Sequence, residues 1–223
     1  MKDKTIKVAG FRKLGKSRII SFDNKFRNIK PGQFLLAYHP EKDDRLKQLF
    51  FVSKIDDGFF TISENTNWEI GDQIFFKGPI GKGFSELSLS QNILIISLGP
   101  TKGSLFSVID IGIKEGKNIA YLTNDLEIPL PHSIEVLTPD MIDESLTWAD
   151  FVMIEIERDE VVKYADLLQK VKSAGVNSEL LIYSPILCSG DTQCMICAVR
   201  TKKGWIRSCH DGAVFKLSEL EFE

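Results

Sequence analysis

The sequence predicts a multidomain chain that combines α+β and α/β architecture. A six-stranded antiparallel β-barrel is expected over residues 1–90. A Rossmann-like parallel α/β domain follows over 91–183, and a small module closes the chain over 184–223. Three observations lead there. Residues 5–89 are a string of short β-rich runs broken by tight turns. From residue 92 continuous apolar runs alternate with helix-like stretches. All four cysteines fall in the last sixth of the chain.

The barrel strands are read at 6–11, 17–22, 33–38, 48–55, 59–63 and 73–77. Between them stand Lys30-Pro31-Gly32, Asp56-Asp57-Gly58 and Ile70-Gly71-Asp72, whose Pro, Asp and Gly suit tight turns. Six short strands so punctuated suit a small antiparallel barrel. Phe50 and Trp68 are expected in its core. In the second segment, 93–98 is apolar throughout, as a strand buried on both faces requires. A helix is expected over 103–115, and strands over 118–122, 133–137, 151–156 and 179–183. Residues 159–174 carry helical periodicity with Val162, Leu167, Leu168 and Val171 on one side. Residues 123–132 hold Pro129 and Pro131 and read as loop. Strands alternating with helices point to a parallel sheet. The tail from Val214 to Leu220 is expected to pack back on the protein.

Composition bounds the function. At 223 residues the chain holds two or three domains. A formal net charge of −3 offers no electrostatic footing for nucleic acid. No apolar run follows Met1-Lys2-Asp3-Lys4, and none reaches the roughly eighteen residues of a membrane helix. A cytoplasmic setting is expected, where thiols stay reduced.

Cys188, Cys194, Cys197 and Cys209 have the spacing C-x5-C-x2-C-x11-C. Packing alone would scatter cysteines along a chain, so their confinement suggests joint action. Cys194 and Cys197 form a C-x2-C knuckle that turns two thiolates toward one centre. The pattern is one residue longer in its first gap than that of plant-type 2Fe–2S proteins. Zinc is the second option, although structural zinc usually takes two C-x2-C pairs. Disulfides are the third and need an oxidising compartment. Asp191, in the long first gap, is an alternative oxygen ligand or simply a turn residue. His210 lacks the second nearby His of a Rieske centre and is expected beside the site, not in it.

Three stretches carry a family resemblance: Pro31-Gly32-Gln33-Phe34; Gly71-Asp72 with Gly78-Pro79-Ile80-Gly81-Lys82-Gly83-Phe84; and Cys209-His210-Asp211-Gly212-Ala213-Val214-Phe215. They and the domain order resemble the electron-transfer subunits of dihydroorotate dehydrogenases, within the ferredoxin–NADP reductase superfamily. The third stretch is the most specific, because it also places the fourth cysteine. The resemblance implies a 2Fe–2S cluster on Cys188, Cys194, Cys197 and Cys209. It also implies electron transfer to or from a catalytic oxidoreductase subunit, itself a flavoprotein, with no side chain doing acid–base work.

The chain departs from that family at both nucleotide sites. The family's FAD motif is R-P-x-S, and the aligned stretch here runs from Gln48 to Val52, with Gln48 and Phe51 in place of Arg and Ser. A neutral Gln makes no charge-assisted bond to phosphate. Tightly bound FAD is therefore not expected, and released flavin decides the matter. The turn from Gly99 to Ser104 keeps two glycines, and Pro100 removes one N–H. NAD(P) is not expected. The alternative reading is a degenerate structural or regulatory subunit whose C-terminal module is stapled by metal.

Overall fold

The computed structural model describes residues 2–14, 17–23, 29–42, 48–55, 58–63, 66–85, 89–99, 103–124, 130–184 and 194–222. The first domain holds β1 (Lys2–Leu14), β2 (Ser17–Phe22), β3 (Phe34–Tyr38), β4 (Gln48–Phe51), β5 (Ser53–Ile55), β6 (Gly58–Ser63) and β7 (Gln73–Ile80). They form one curled antiparallel sheet in the order β4-β3-β7-β1-β2-β6-β5. The expected strand over 48–55 is two strands. It breaks at Val52, where β4 leaves its pairing with β3 and β5 takes up pairing with β6. β1 is longer than its apolar pattern indicates. Its first half pairs with β7, and an irregularity between Val8 and Gly10 turns its second half onto β2.

The barrel interior is a cluster of Ile6, Ile20, Leu35, Phe50, Trp68, Ile74 and Phe76 with their neighbours. Phe50 stacks on Trp68 with ring centroids 5.1 Å apart. Both aromatics are thus core, as expected.

The second domain comprises β8 (Asn92–Leu98), α1 (Phe106–Lys114), β9 (Asn118–Thr123), β10 (Glu135–Leu137), α2 (Ile142–Trp148), β11 (Phe151–Glu157), α3 (Ala165–Ser173) and β12 (Asn177–Tyr183). Its sheet order is β10-β9-β8-β11-β12, all parallel. β8 and β11 lie at its centre. The run from Ile93 to Leu98 is buried on both faces, which is why it is apolar but for Ser97. Burying each such side chain stabilises the fold by about 1.5–3 kcal/mol.

The helix expected over 159–174 starts later, at Ala165, after a 3-10 turn over Arg158–Glu160. Leu168 and Val171 are buried as read, but Val162 precedes the helix and is 72% exposed. α2 has no counterpart in the sequence reading.

After β12 the described chain resumes at Cys194. A hairpin of β13 (Ala198–Thr201) and β14 (Gly204–Arg207) leads into the one-turn α4 (Ser208–Asp211). β15 (Val214–Lys216) then adds antiparallel to β12 as a sixth strand. The tail does pack back, and it does so by extending the α/β sheet.

One turn of the barrel is held by charge. Asp72 accepts the Glu69 N–H at 2.8 Å and the Lys42 ammonium at 2.8 Å. Burial works against the charged Asp72 carboxyl. The hydrogen bonds from Lys42 and Glu69 outweigh it and hold the carboxyl below its ordinary value. A depressed carboxylate contributes stability that is complete above the unfolded value of about 3.9 and is lost as pH falls through the folded value. Asp72→Asn therefore lowers Tm at neutral pH, and the gap to wild type narrows as pH falls below about 4. Thermal melts of both proteins across pH check this; a gap that persists undiminished in acid would contradict it.

Candidate functional site

Two hydrophobic clusters lie on opposite faces of the parallel sheet. One holds α2 and α3 against it. The other includes α1 and runs without a break into the outer face of the barrel, through Ile19, Phe34, Leu36, Phe51 and Phe84. Cys197, Cys209, Ala213 and Val214 belong to this same cluster. The cysteine segment is thereby part of the junction between the two domains.

The three stretches singled out in the sequence meet at that junction. Phe84 N–H donates to Pro31 O at 2.9 Å, and the Gln33 side-chain amide donates to Gly81 O at 2.9 Å. The segment around Gly81 then presses on the one around Gly212. A β-carbon on Gly81 would stand 3.2 Å from Ala213 N, and one on Gly212 would stand 3.1 Å from Lys82 N. Both glycines hold positive φ, +85° and +122°. Gly212, at ψ 153°, occupies a region that is essentially glycine-only. A glycine at each of these positions lets the backbones come this close. Ser85 extends the weld: its N–H donates to Glu179 of β12 at 2.9 Å, and its hydroxyl donates to the other carboxylate oxygen.

The hairpin positions two of the four thiols. Ser208 N–H donates to Cys197 O at 3.1 Å, one step beyond the Ala198–Arg207 pair. Cys197 and Cys209 therefore sit at the same open end of the hairpin, and both are buried. Asp211 locks α4 over that end by accepting the Arg207 N–H at 2.8 Å. That bond and the adjacent His210 ring hold the Asp211 carboxyl below its ordinary value. Cys194 is exposed, and Met195 beside it has φ +60°, a conformation costing a residue with a β-carbon about 1–2 kcal/mol. Cys188 and Asp191 lie outside the described residues. Cys194, Cys197 and Cys209 are not in disulfides. Among the described residues no group of three or more His, Cys, Asp or Glu side chains is assembled as a metal site. His210 is exposed and its ring faces Asp211.

At the positions aligned with the flavin motif, Gln48 is half-buried and Phe51 fully buried. The Phe51 ring packs edge-on to Tyr183 of β12, with centroids 6.0 Å apart, and to Phe34 at 6.3 Å. Where the family pattern carries a hydroxyl, this chain has an aromatic wedge between barrel and sheet. Of the turn from Gly99 to Ser104, residues 100–102 lie outside the described part. Gly99 and Gly103 have positive φ, and Ser104 points inward to a buried carboxylate.

That carboxylate is Glu155, which sequence reading missed. It accepts the Ser97 hydroxyl at 2.6 Å and the Ser104 hydroxyl on its other oxygen. With Thr123 and Ser184 these residues form a buried polar layer at the carboxyl ends of β8, β9, β11 and β12. The available signal was an acid inside the apolar run of β11, flanked by Ile154 and Ile156.

No protein-family model matches the chain, and no curated protein matches it. Solved structures do. One is the NADH-dependent reduced ferredoxin-NADP oxidoreductase studied for flavin-based electron bifurcation. The match has a TM-score of 0.75 at 18% identity and covers 97% of this chain and 90% of that one. Another is the ferredoxin reductase in carbazole 1,9a-dioxygenase, with a TM-score of 0.60 at 14% identity over 82% of this chain and 67% of that one. A third is the ferredoxin-NADP+ reductase from Plasmodium falciparum, with a TM-score of 0.58 at 12% identity over 81% and 96%. The likeness establishes the fold: an antiparallel barrel and a parallel α/β domain joined as in ferredoxin reductases. Among the described residues no helix is long and apolar enough to cross a membrane.

The glycine weld makes a direct prediction. Gly81→Ala and Gly212→Ala each destabilise the protein by about 1–3 kcal/mol. Gly175→Ala, at φ +73° with nothing within 4 Å of its β-carbon, costs less. Urea unfolding of the three variants tests the ranking, and equal losses would remove the close contact as the cause.

Proposed function

We propose that the chain is the electron-transfer subunit of an oxidoreductase complex. It binds an iron–sulfur cluster of the 2Fe–2S type through Cys188, Cys194, Cys197 and Cys209. Its partner is a catalytic flavoprotein subunit. The observation that carries this reading is the convergence of Pro31–Gln33, Gly81–Phe84 and Cys209–Val214 at one junction, where a free-thiol segment is welded to a ferredoxin-reductase fold.

The donor set suits the group. The described thiols are unlinked, and two of them share the end of one hairpin. A bound cluster supplies one-electron transfer. The protein's own residues do the rest. Burial of Cys197 and Cys209 in the junction cluster keeps water from that side, and dry surroundings with nearby N–H donors set a cluster's potential. Asp211 holds the backbone that carries Cys209. Met195 and Ile196 stand exposed between Cys194 and Cys197, apolar surface of the kind that meets a partner protein. Phe51 and Gln48 argue that the flavin of the electron path belongs to the partner and is not tightly held here.

Two measurements test the reading. Anaerobically purified protein shows visible absorbance that Cys194→Ser bleaches, with a fall in Tm because metal-binding energy contributes to folding. Stoichiometric zinc without acid-labile sulfide would instead support the metal-stapled structural subunit. Denaturation releases far less than one equivalent of FAD; near-equimolar FAD would restore a full flavin-dependent reductase.

A further inference from the structure

β8 and β11 are neighbours, yet the chain leaves them in opposite directions, β8 toward β9 and β11 toward β12. Such a reversal opens a crevice at the carboxyl ends of the strands, where open α/β sheets bind their ligands. A dinucleotide places its pyrophosphate there, at the start of the helix after the first strand. In this chain Glu155, Ser97 and Ser104 occupy that place, all at most 2% exposed. Ser97 is the penultimate residue of β8, Glu155 lies near the end of β11, and Ser104 lies in the lead-in to α1. Both carboxylate oxygens take serine hydroxyls. The Ser104 hydroxyl, a donor that a phosphate would use, is already committed.

We infer that Glu155 is a resident anion that takes the electrostatic place of a nucleotide phosphate and makes the α/β domain reject dinucleotides. Repulsion between a carboxylate and a phosphate a few ångströms apart in a buried site lowers affinity by about ten-fold or more. The inference deepens the expectation from the sequence that the chain does not take NAD(P). It is independent of the cluster, because iron and sulfide content does not enter its test.

Glu155→Gln is the decisive variant. The amide keeps the size and both hydrogen bonds, donating to one serine and accepting from the other, and removes only the charge. Isothermal titration with inorganic pyrophosphate and with NADH should show the variant binding each at least about ten-fold more tightly than wild type. Glu155→Ala reads the same site through stability. Inorganic phosphate should raise its Tm more than that of wild type, by filling the space between the two hydroxyls. A folded Glu155→Gln protein that binds no better than wild type would overturn the inference. So would equal phosphate shifts for Glu155→Ala and wild type, or micromolar pyrophosphate binding by wild type itself. Failure of both variants to fold would also overturn it, by making the carboxylate purely structural.

Discussion

The contact between the backbone at Gly81–Lys82 and the backbone at Gly212–Ala213 governs the rest of the architecture. Gly81 and Gly212 lack a β-carbon where the two segments approach, and both adopt positive φ. One partner is the exit of the barrel, and the other is the segment that follows Cys209. Their union decides where the fourth cysteine stands relative to both domains. Gln33, Phe84 and Ser85 reinforce it from the barrel side, and Glu179 receives it on the sheet. β15 completes the arrangement by pairing with β12 directly after the weld. A site built this way is positioned by backbone, which is stiffer than a site hung from side chains.

Two further buried groups are held by the chain's own side chains. Phe51 wedges between Phe34 and Tyr183, and Glu155 fills the switch point with a charge already satisfied by two serines. In the reading proposed above, the cysteine segment is the place for redox chemistry. The fold supports that reading without dictating it, because one scaffold hosts many activities.

Much of this was legible in the residues, and the failures are instructive. The central strand β8 was plain because burial on both faces makes its sequence continuously apolar. The turn chemistry of Pro31-Gly32 and Gly71-Asp72 marked true turns. The break at Val52 was not legible, since β4 and β5 differ only in their partners, which is a tertiary fact. Val162 misled because it repeats at helical spacing yet precedes the helix, in the segment after a 3-10 turn. α2 is seven residues long, too short for a periodic pattern to declare it. The four cysteines were evident from spacing, but that three distant motifs share one junction emerges only in three dimensions. Glu155 hid for the opposite reason: its neighbours in β11 are what a buried strand should have, and a single acid among them has no pattern.

The central claim is that this junction carries an electron-transfer cluster. The most direct measurement is iron and acid-labile sulfide per chain in anaerobically purified protein, with an electron paramagnetic resonance spectrum after chemical reduction. The account predicts equal amounts of iron and sulfide, about two of each per chain, and a signal that appears on reduction and is absent from Cys209→Ser. Iron-free protein of full stability, silent after reduction, would contradict it.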